Sequence, residues 1–528
     1  MKKWLEFVKK LNTPKFIVWF FVFVAFILRL LPWNSTIINW GKSVIFIQPD
    51  AYYQMRRAMI WATNFPNLIT MDYYMAYPFG AECPWSPLYN FVMAVLTLIF
   101  SGGKPNQQVL HLVTALLPPI IAAFCVIPVY KIVKLVWKNE RIALFSAFFA
   151  IIMPGMLGYS TIGSGDHHVA ETFLFLWFFY YSLYLLRKIL DREENLSKDI
   201  IKTGIMVALG LLIWPGQVVF FTVWAVYLSF LVLINHDKSE ICEKVAKSFF
   251  YAALIGSAIG IAVRFILPIS TEQAYFDFAF FSYFQPVYVL LIFLSVIIIH
   301  YALVKIRKKR DEFFKALILV AIVFVVLAFI APLRKGVING INFLLKTDPW
   351  HSSINEFQST FSIRLVKEMI MSKNIQDIGY LLSFLFPFYF SLIYFYKALR
   401  LPLNKIWFYN DIMIKKPDKI LLGLYNIINK PTQVTREEWK TRTLVLFYGV
   451  SGIMLGFLAL YQKRWTNAFS PILAIGIALF ANAVYLKIRG GHGFFKEFMK
   501  WRREKKKIKE GILTRLIIYW EKSPFFLS

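Results

Sequence analysis

Gly165-Asp166-His167-His168-Val169-Ala170-Glu171 puts two carboxylates and two imidazoles into seven residues. The sequence on both sides is apolar enough to read as membrane. Ionisable groups are costly there, so such a cluster marks a functional site by default. Asp166 and His168 are two apart and would share a face in an extended loop, with His167 pointing away. Carboxylate oxygen with one imidazole suits a divalent cation, Mn²⁺ or Mg²⁺ rather than a thiolate-loving metal. Neutral imidazole is the ligand form, so binding should weaken at acid pH. The plain alternative is a polar loop between two helices that happens to carry histidine.

Three further stretches could complete the site. Asp50 opens Asp50-Ala51-Tyr52-Tyr53-Gln54-Met55-Arg56-Arg57, Glu356 lies in Ile354-Asn355-Glu356-Phe357, and Arg464 lies in Gln462-Lys463-Arg464-Trp465. Each alone has a simpler reading. Asp50 fits a helix cap, Glu356 an ordinary loop acid, and Arg464 an interfacial anchor. Trp85 and Trp350 read as interface anchors too.

The elements that must position these groups are membrane helices. The 528 residues are 58% hydrophobic, against roughly 45–50% in soluble domains, and the charges come in clusters between long apolar runs. The chain is therefore an all-α polytopic membrane protein. Its net charge of +29 is explained by Lys and Arg collecting in loops on one side, without nucleic acid. Cys83, Cys125 and Cys242 are too far apart for a metal or disulfide framework.

About twelve spans are expected, at 16–33, 113–133, 142–160, 168–187, 201–215, 217–235, 247–268, 286–304, 314–333, 377–396, 442–461 and 467–486. Residues 87–100 are apolar but short. Laying them on the outer interface puts the basic loops 131–141, 187–202, 236–247, 305–315 and 397–442 inside, with both termini. Two large outer loops remain, 34–112 and 334–376, and Asp50, Asp166, His168, Glu356 and Arg464 all fall on that outer face. Residues 1–490 read as one membrane catalytic domain and 491–528 as a basic cytoplasmic tail, with no soluble C-terminal domain; the expected location is the plasma (inner) membrane.

Taken together these stretches resemble the catalytic subunits of oligosaccharyltransferases, the archaeal single-subunit form most of all. The resemblance is carried by Asp50-Ala51-Tyr52-Tyr53 with Arg56, Tyr77-Pro78-Phe79-Gly80, Trp85-Ser86-Pro87-Leu88, Gly165-Asp166-His167-His168 with Glu171, Trp214-Pro215-Gly216, Ile354-Asn355-Glu356 and Arg464-Trp465. It implies a GT-C membrane domain that moves an oligosaccharide from a polyprenyl-(pyro)phosphate carrier to the side-chain amide of asparagine in a protein acceptor, with inversion. It also implies Asp50, Asp166, His168 and Glu356 as ligands of Mn²⁺ or Mg²⁺, with His167 and Glu171 supporting them. Asp50 and Glu356 would grip the acceptor amide, and Arg464, with Arg56, would bind substrate.

The family's WWDYG signature does not occur in the sequence. That leaves three readings: a truncated or split gene, a separate chain supplying the missing domain, or a relative with another acceptor. Rival functions are a GT-C enzyme with a hydroxyl acceptor, where Asp50 would serve as general base, and an inactive assembly subunit. A transporter would carry its ionisable residues near the bilayer midplane, whereas these lie at helix ends.

Overall fold

The computed structural model describes residues 13–38, 43–235, 238–271, 274–306, 329–345, 354, 357–360, 371, 385, 389 and 436–489. Helix α1 (Pro14–Leu30) starts at Thr13, whose hydroxyl accepts the Phe16 N–H, with Pro14 in the first turn. After it come a two-residue antiparallel pair, β1 (Ile37–Ile38) with β2 (Ser43–Val44), and helix α2 (Pro49–Asn64). A second pair, β3 (Met71–Asp72) with β4 (Ala81–Glu82), pairs Met71 with Glu82 and leads to helix α3 (Leu88–Phe100).

Next are α4 (Gln107–Phe124), α5 (Val126–Trp137), α6 (Glu140–Ile152), α7 (His168–Asp191) and α8 (Ser197–Ile213). The remainder are α9 (Val218–Ile234), α10 (Ser239–Ile266), α11 (Phe284–Ile306), α12 (Ala331–Leu345), α13 (Arg436–Tyr461) and α14 (Trp465–Arg489).

Among the described residues, seven helical segments are long and apolar enough to cross a membrane: Gln107–Trp137, His168–Asp191, Pro215–Ile234, Ser239–Ile266, Phe284–Ala302, Arg436–Tyr461 and Trp465–Leu486. The chain is a multi-pass membrane protein. Three expected spans have bounds other than those forecast. The run 142–160 ends as a helix at Ile152, because Pro154 holds Met153 extended at ψ 121°. Residues 201–215 and 16–33 form 17-residue helices, α8 and α1. The run 113–133 belongs to two helices that meet at Cys125. The spans expected at 377–396, apart from residues 385 and 389, and, up to residue 328, at 314–333 fall outside the described residues.

Helix α7 is the axis of the core. It is buried nearly all round, as a helix that faces other helices rather than lipid must be. Phe175 stacks on Phe220 of α9 at 4.3 Å, and Phe179 packs edge-on against Phe447 of α13 at 4.8 Å. This aromatic packing fixes α7 so that its first turn meets α2, the α8–α9 turn and the α13–α14 turn. Its last turn meets the starts of α10 and α13 at the other end of the bundle.

Candidate metal centre and anion clamp

The loop before α7 is held by backbone. Ile162 N–H donates to the Arg29 carbonyl at 3.0 Å, Gly163 N–H to the Ala115 carbonyl at 3.1 Å, and Ile47 N–H to the Gly163 carbonyl at 3.0 Å. Buried Arg29 also donates from Nε to Ser160 Oγ at 2.8 Å. Gly165 has φ +56°, and a Cβ there would stand 2.5 Å from the Ala51 Cβ. Only glycine lets this loop lie against α2 in that conformation.

Asp166 follows and is 2% exposed. Its Oδ1 accepts the His167 backbone N–H at 2.7 Å and lies 2.5 Å from His167 Nδ1, while Oδ2 is 3.1 Å from His168 Nε2. The extended geometry expected for 166–168 does not form. His167 has helical backbone, φ −74° and ψ −12°, and caps α7. Its ring therefore stacks on His168, centroids 4.9 Å apart, instead of pointing away. Glu171, one turn on, brings Oε1 to 2.9 Å from His167 Nε2 and 3.4 Å from His168 Nδ1. His167, His168 and Glu171 thus offer ligand atoms within 4.8 Å of one another.

Burial disfavours charge on Asp166, yet the adjoining imidazoles and their hydrogen bonds override it and hold this carboxyl well below the usual range. Burial likewise lowers His167, but Asp166 and Glu171 outweigh it and raise the imidazole to about 9.

The chemistry of the set fits a cation. His167 Nε2 and Glu171 Oε1 are both buried, and although they approach closely they are not aligned for a hydrogen bond with each other or with any other group. Two buried ligand atoms converging without hydrogen bonds are expensive unless something else binds them. Two imidazoles with two carboxylates suit Mn²⁺, and they also admit Zn²⁺.

One relay was not foreseen from the sequence. Buried Arg57 donates from Nη1 to Asn90 Oδ1 at 3.2 Å, Asn90 Nδ2 donates to Gln54 Oε1 at 2.7 Å, and Gln54 Nε2 donates to Asp166 Oδ1 at 3.2 Å. Arginine can only donate, so both amides are locked in one orientation and the last N–H is aimed at the carboxylate. Helical spacing was the available signal, since Gln54 is four residues after Asp50 and shares its face. Asp50 itself is exposed in the first turn of α2, one turn from Gln54 at the same end of the bundle.

Arg464 sits on a platform of rings. Its guanidinium carbon is 4.5 Å from the Trp214 ring, 5.5 Å from both Phe343 and Phe357, and 5.8 Å from Trp465. Trp214 lies flat on Gly216, where a Cβ would meet the indole at 2.2 Å; this is why Trp-Pro-Gly separates α8 from α9. The Trp214 ring is also 6.4 Å from His167, so the platform joins the two halves of the site.

Glu356 lies outside the described residues, but its neighbours are tied here: Lys463 N–H donates to the Gln358 carbonyl at 2.9 Å and Thr360 N–H to the Leu460 carbonyl at 3.1 Å. Arg56 is engaged elsewhere. It grips Asp72 with two bonds of 2.7 Å and stacks on Tyr74 at 4.3 Å, holding the Asp72 carboxyl below its usual range. On the other side of the platform, Phe343 packs on Phe278 at 5.7 Å. Phe278 lines an apolar cavity of about 470 Å³ between α9, α11, α12 and α13.

Residues 18–373 match the family described as oligosaccharyl transferase STT3, N-terminal. Two Archaeoglobus fulgidus relatives are the dolichyl-phosphooligosaccharide-protein glycotransferases 2 and 3. The first is 30% identical over 194 residues, covering 36% of this chain and 29% of its own length. The second is 26% identical over 298 residues, covering 54% and 32%. The structure of the archaeal oligosaccharyltransferase AglB from that organism, in complex with an inhibitory peptide and a dolichol-phosphate, superimposes with a TM-score of 0.66 at 17% identity, over 97% of this chain and 55% of that one. An oligosaccharyltransferase structure from the same organism in complex with Zn and sulfate gives a TM-score of 0.55 at 19% identity, covering 89% and 50%. The fold is shared, and the chain spans about half or less of the length of these relatives.

Proposed function

We propose, from the premise that this chain belongs to the STT3 oligosaccharyl transferase family, that it is a metal-dependent, inverting membrane glycosyltransferase. It would transfer an oligosaccharide from a polyprenyl-(pyro)phosphate carrier to the side-chain amide of asparagine in a protein acceptor. The observation that carries this reading is the buried convergence of Asp166, His167, His168 and Glu171 beside the Arg464 platform. The relative whose structure holds an inhibitory peptide and a dolichol-phosphate supports both substrate classes. The one in complex with Zn and sulfate supports a cation and an anion.

In this reading Asp50, Asp166, His168 and Glu356 hold Mn²⁺ or Mg²⁺. His167 and Glu171 stand close enough to support or join them. When bound, the ion supplies positive charge for the departing phosphate. The chain's own groups do the rest. Asp50 and Glu356 accept the two amide N–H groups of asparagine and turn the amide out of conjugation, freeing the nitrogen lone pair. The nitrogen bonds to the anomeric carbon, the bond from that carbon to the carrier's phosphate oxygen breaks with its electron pair, and the amide passes one proton to a carboxylate that accepted its N–H. Arg464 holds the phosphate oxygens, its charge fixed by four rings rather than by a carboxylate. The apolar cavity beyond Phe343 suits the carrier's hydrocarbon chain.

The domain plan follows: a membrane catalytic domain to about residue 490 and a basic tail after it. The site faces the outside of the plasma membrane, and the basic end and both termini face the cytoplasm.

The deciding experiment uses the full chain in liposomes with a polyprenyl-linked glycan, a peptide containing asparagine and one in which glutamine replaces it, each with chelator, Mn²⁺, Mg²⁺ or Zn²⁺. Glycan should appear on the asparagine peptide only, and only with metal. Glycan on the asparagine-free peptide would overturn the amide acceptor, and full turnover in chelator would overturn the metal.

A further inference from the structure

At the end of the bundle away from the metal centre, a cavity of about 590 Å³ opens where the last turn of α7 meets the first turns of α10 and α13. Its walls carry Arg192, Lys238 and Arg436, the indole of Trp439, and one acid, the exposed Glu240.

Five other cations at this end of the bundle are neutralised. Lys138, Arg187 and Lys440 pair with Glu437, Lys188 with Glu193 and Asp199, and Arg442 with Glu438. Arg192 and Arg436 make no ion pair among the described residues. Two arginines beside five paired cations, both lining one cavity, are not explained by the general excess of positive charge at this end.

The cavity is also built. Arg192 is fixed in a left-handed conformation, φ 65°, by N–H bonds to the Ile189 and Lys188 carbonyls. Trp439 is pinned by its indole N–H to Asn235 Oδ1 at 2.7 Å, and the Lys238 ammonium lies 3.4 Å from its ring centre. The start of α10 opens on the same wall with no side-chain cap on its first N–H groups. That adds the positive end of a 28-residue helix to the two arginines.

We infer that this cavity is a binding site for a phosphate group, from an anionic phospholipid headgroup or a free phosphate anion. It does not depend on the transfer reaction.

The test measures binding to the purified full chain in uncharged detergent, by thermophoresis, of dihexanoyl-phosphatidylglycerol, dihexanoyl-phosphatidylcholine and inorganic phosphate. Saturable binding of phosphatidylglycerol without inorganic phosphate assigns a lipid headgroup. Binding of both assigns the phosphate itself. The double variant Arg192→Gln/Arg436→Gln, with its melting temperature checked, should bind at least tenfold more weakly. Lys134→Gln, which removes a cation already paired with Glu140 at the same end, should leave binding unchanged. The proposal is overturned by no saturable binding of either anion, by equal binding of phosphatidylcholine, by a double variant that binds like the parent, or by an equal loss in Lys134→Gln.

Discussion

At its first turn α7 holds Asp166, His168 and Glu171, all buried, with His167 half-buried between them; the same 24-residue helix ends in Arg187, Lys188, Asp191 and Arg192 at the surface. Both ends obey the helix dipole, acids at the start and bases at the finish. They differ in how the charges are satisfied. Glu437, 57% exposed, is shared by Lys138, Arg187 and Lys440, and Asp191 takes Arg187 and Lys440 as well. Glu437 and Asp191 thus each hold more than one cation. At the site end, two ligand atoms are buried and lack hydrogen bonds. Saturated pairs in water hold helices together, whereas unsaturated ligand atoms away from water are kept for something that binds.

Sidedness separates the two ends of α7 most sharply. Single cysteines introduced as Tyr73→Cys, 67% exposed on the β3–β4 loop, and Lys198→Cys, exposed at the start of α8, should label oppositely in intact cells with an impermeant maleimide. The three native cysteines are buried and give little background. Labelling of Lys198→Cys from outside would place the basic end there and invert the assignment. Next in size, Asp166→Ala or Glu171→Ala should lower glycan transfer about 100-fold or more, with loss of the metal requirement in the residual rate. Wild-type turnover in either variant would remove the metal centre. Arg464→Lys keeps the charge but loses the planar stack on Trp214, so transfer should fall about tenfold and carrier KM should rise.

Much of this site was legible in the sequence because its chemistry is local. Asp166, His167, His168 and Glu171 lie within six positions, and the Trp214-Pro215-Gly216 break is written in its own residues. The helices were legible from apolar length, although their ends were not. Met153 before Pro154 stops α6 eight residues before the forecast boundary at 160, and only backbone geometry decides that. What stayed hidden depends on tertiary placement. The backbone turns helical at His167 because α7 begins at His168, which brings the His167 ring in. Arg56 turns to Asp72, and its neighbour Arg57 enters the relay instead, because helix α2 points successive side chains about a quarter-turn apart.

Gln54→Leu probes the site end of α7 with a smaller effect. It removes the N–H aimed at Asp166 Oδ1 without touching any proposed ligand. Outer partners of this kind are worth about 10–100-fold in metal affinity, and the low end is expected here because the bond is long at 3.2 Å. Mn²⁺ titration of transfer activity and of thermal stability should both shift about tenfold to higher concentration, and Asn90→Leu should reproduce part of the shift. A change in maximal rate with an unmoved Mn²⁺ midpoint would make the relay structural only.

The smallest effect is predicted at the other end. Glu437→Ala leaves Lys138, Arg187 and Lys440 near one another without their shared acid, though Asp191 still reaches two of them. The group is exposed and water screens what remains. The melting temperature should drop modestly, by more at low salt than at high salt. Transfer at saturating Mn²⁺ should change less than about twofold, because the whole length of α7, roughly 36 Å at 1.5 Å per residue, separates Glu437 from Asp166. A loss of transfer as large as that of Asp166→Ala, with the fold intact, would mean that the two ends of α7 are coupled, and the separation of a structural end from a chemical end would not hold.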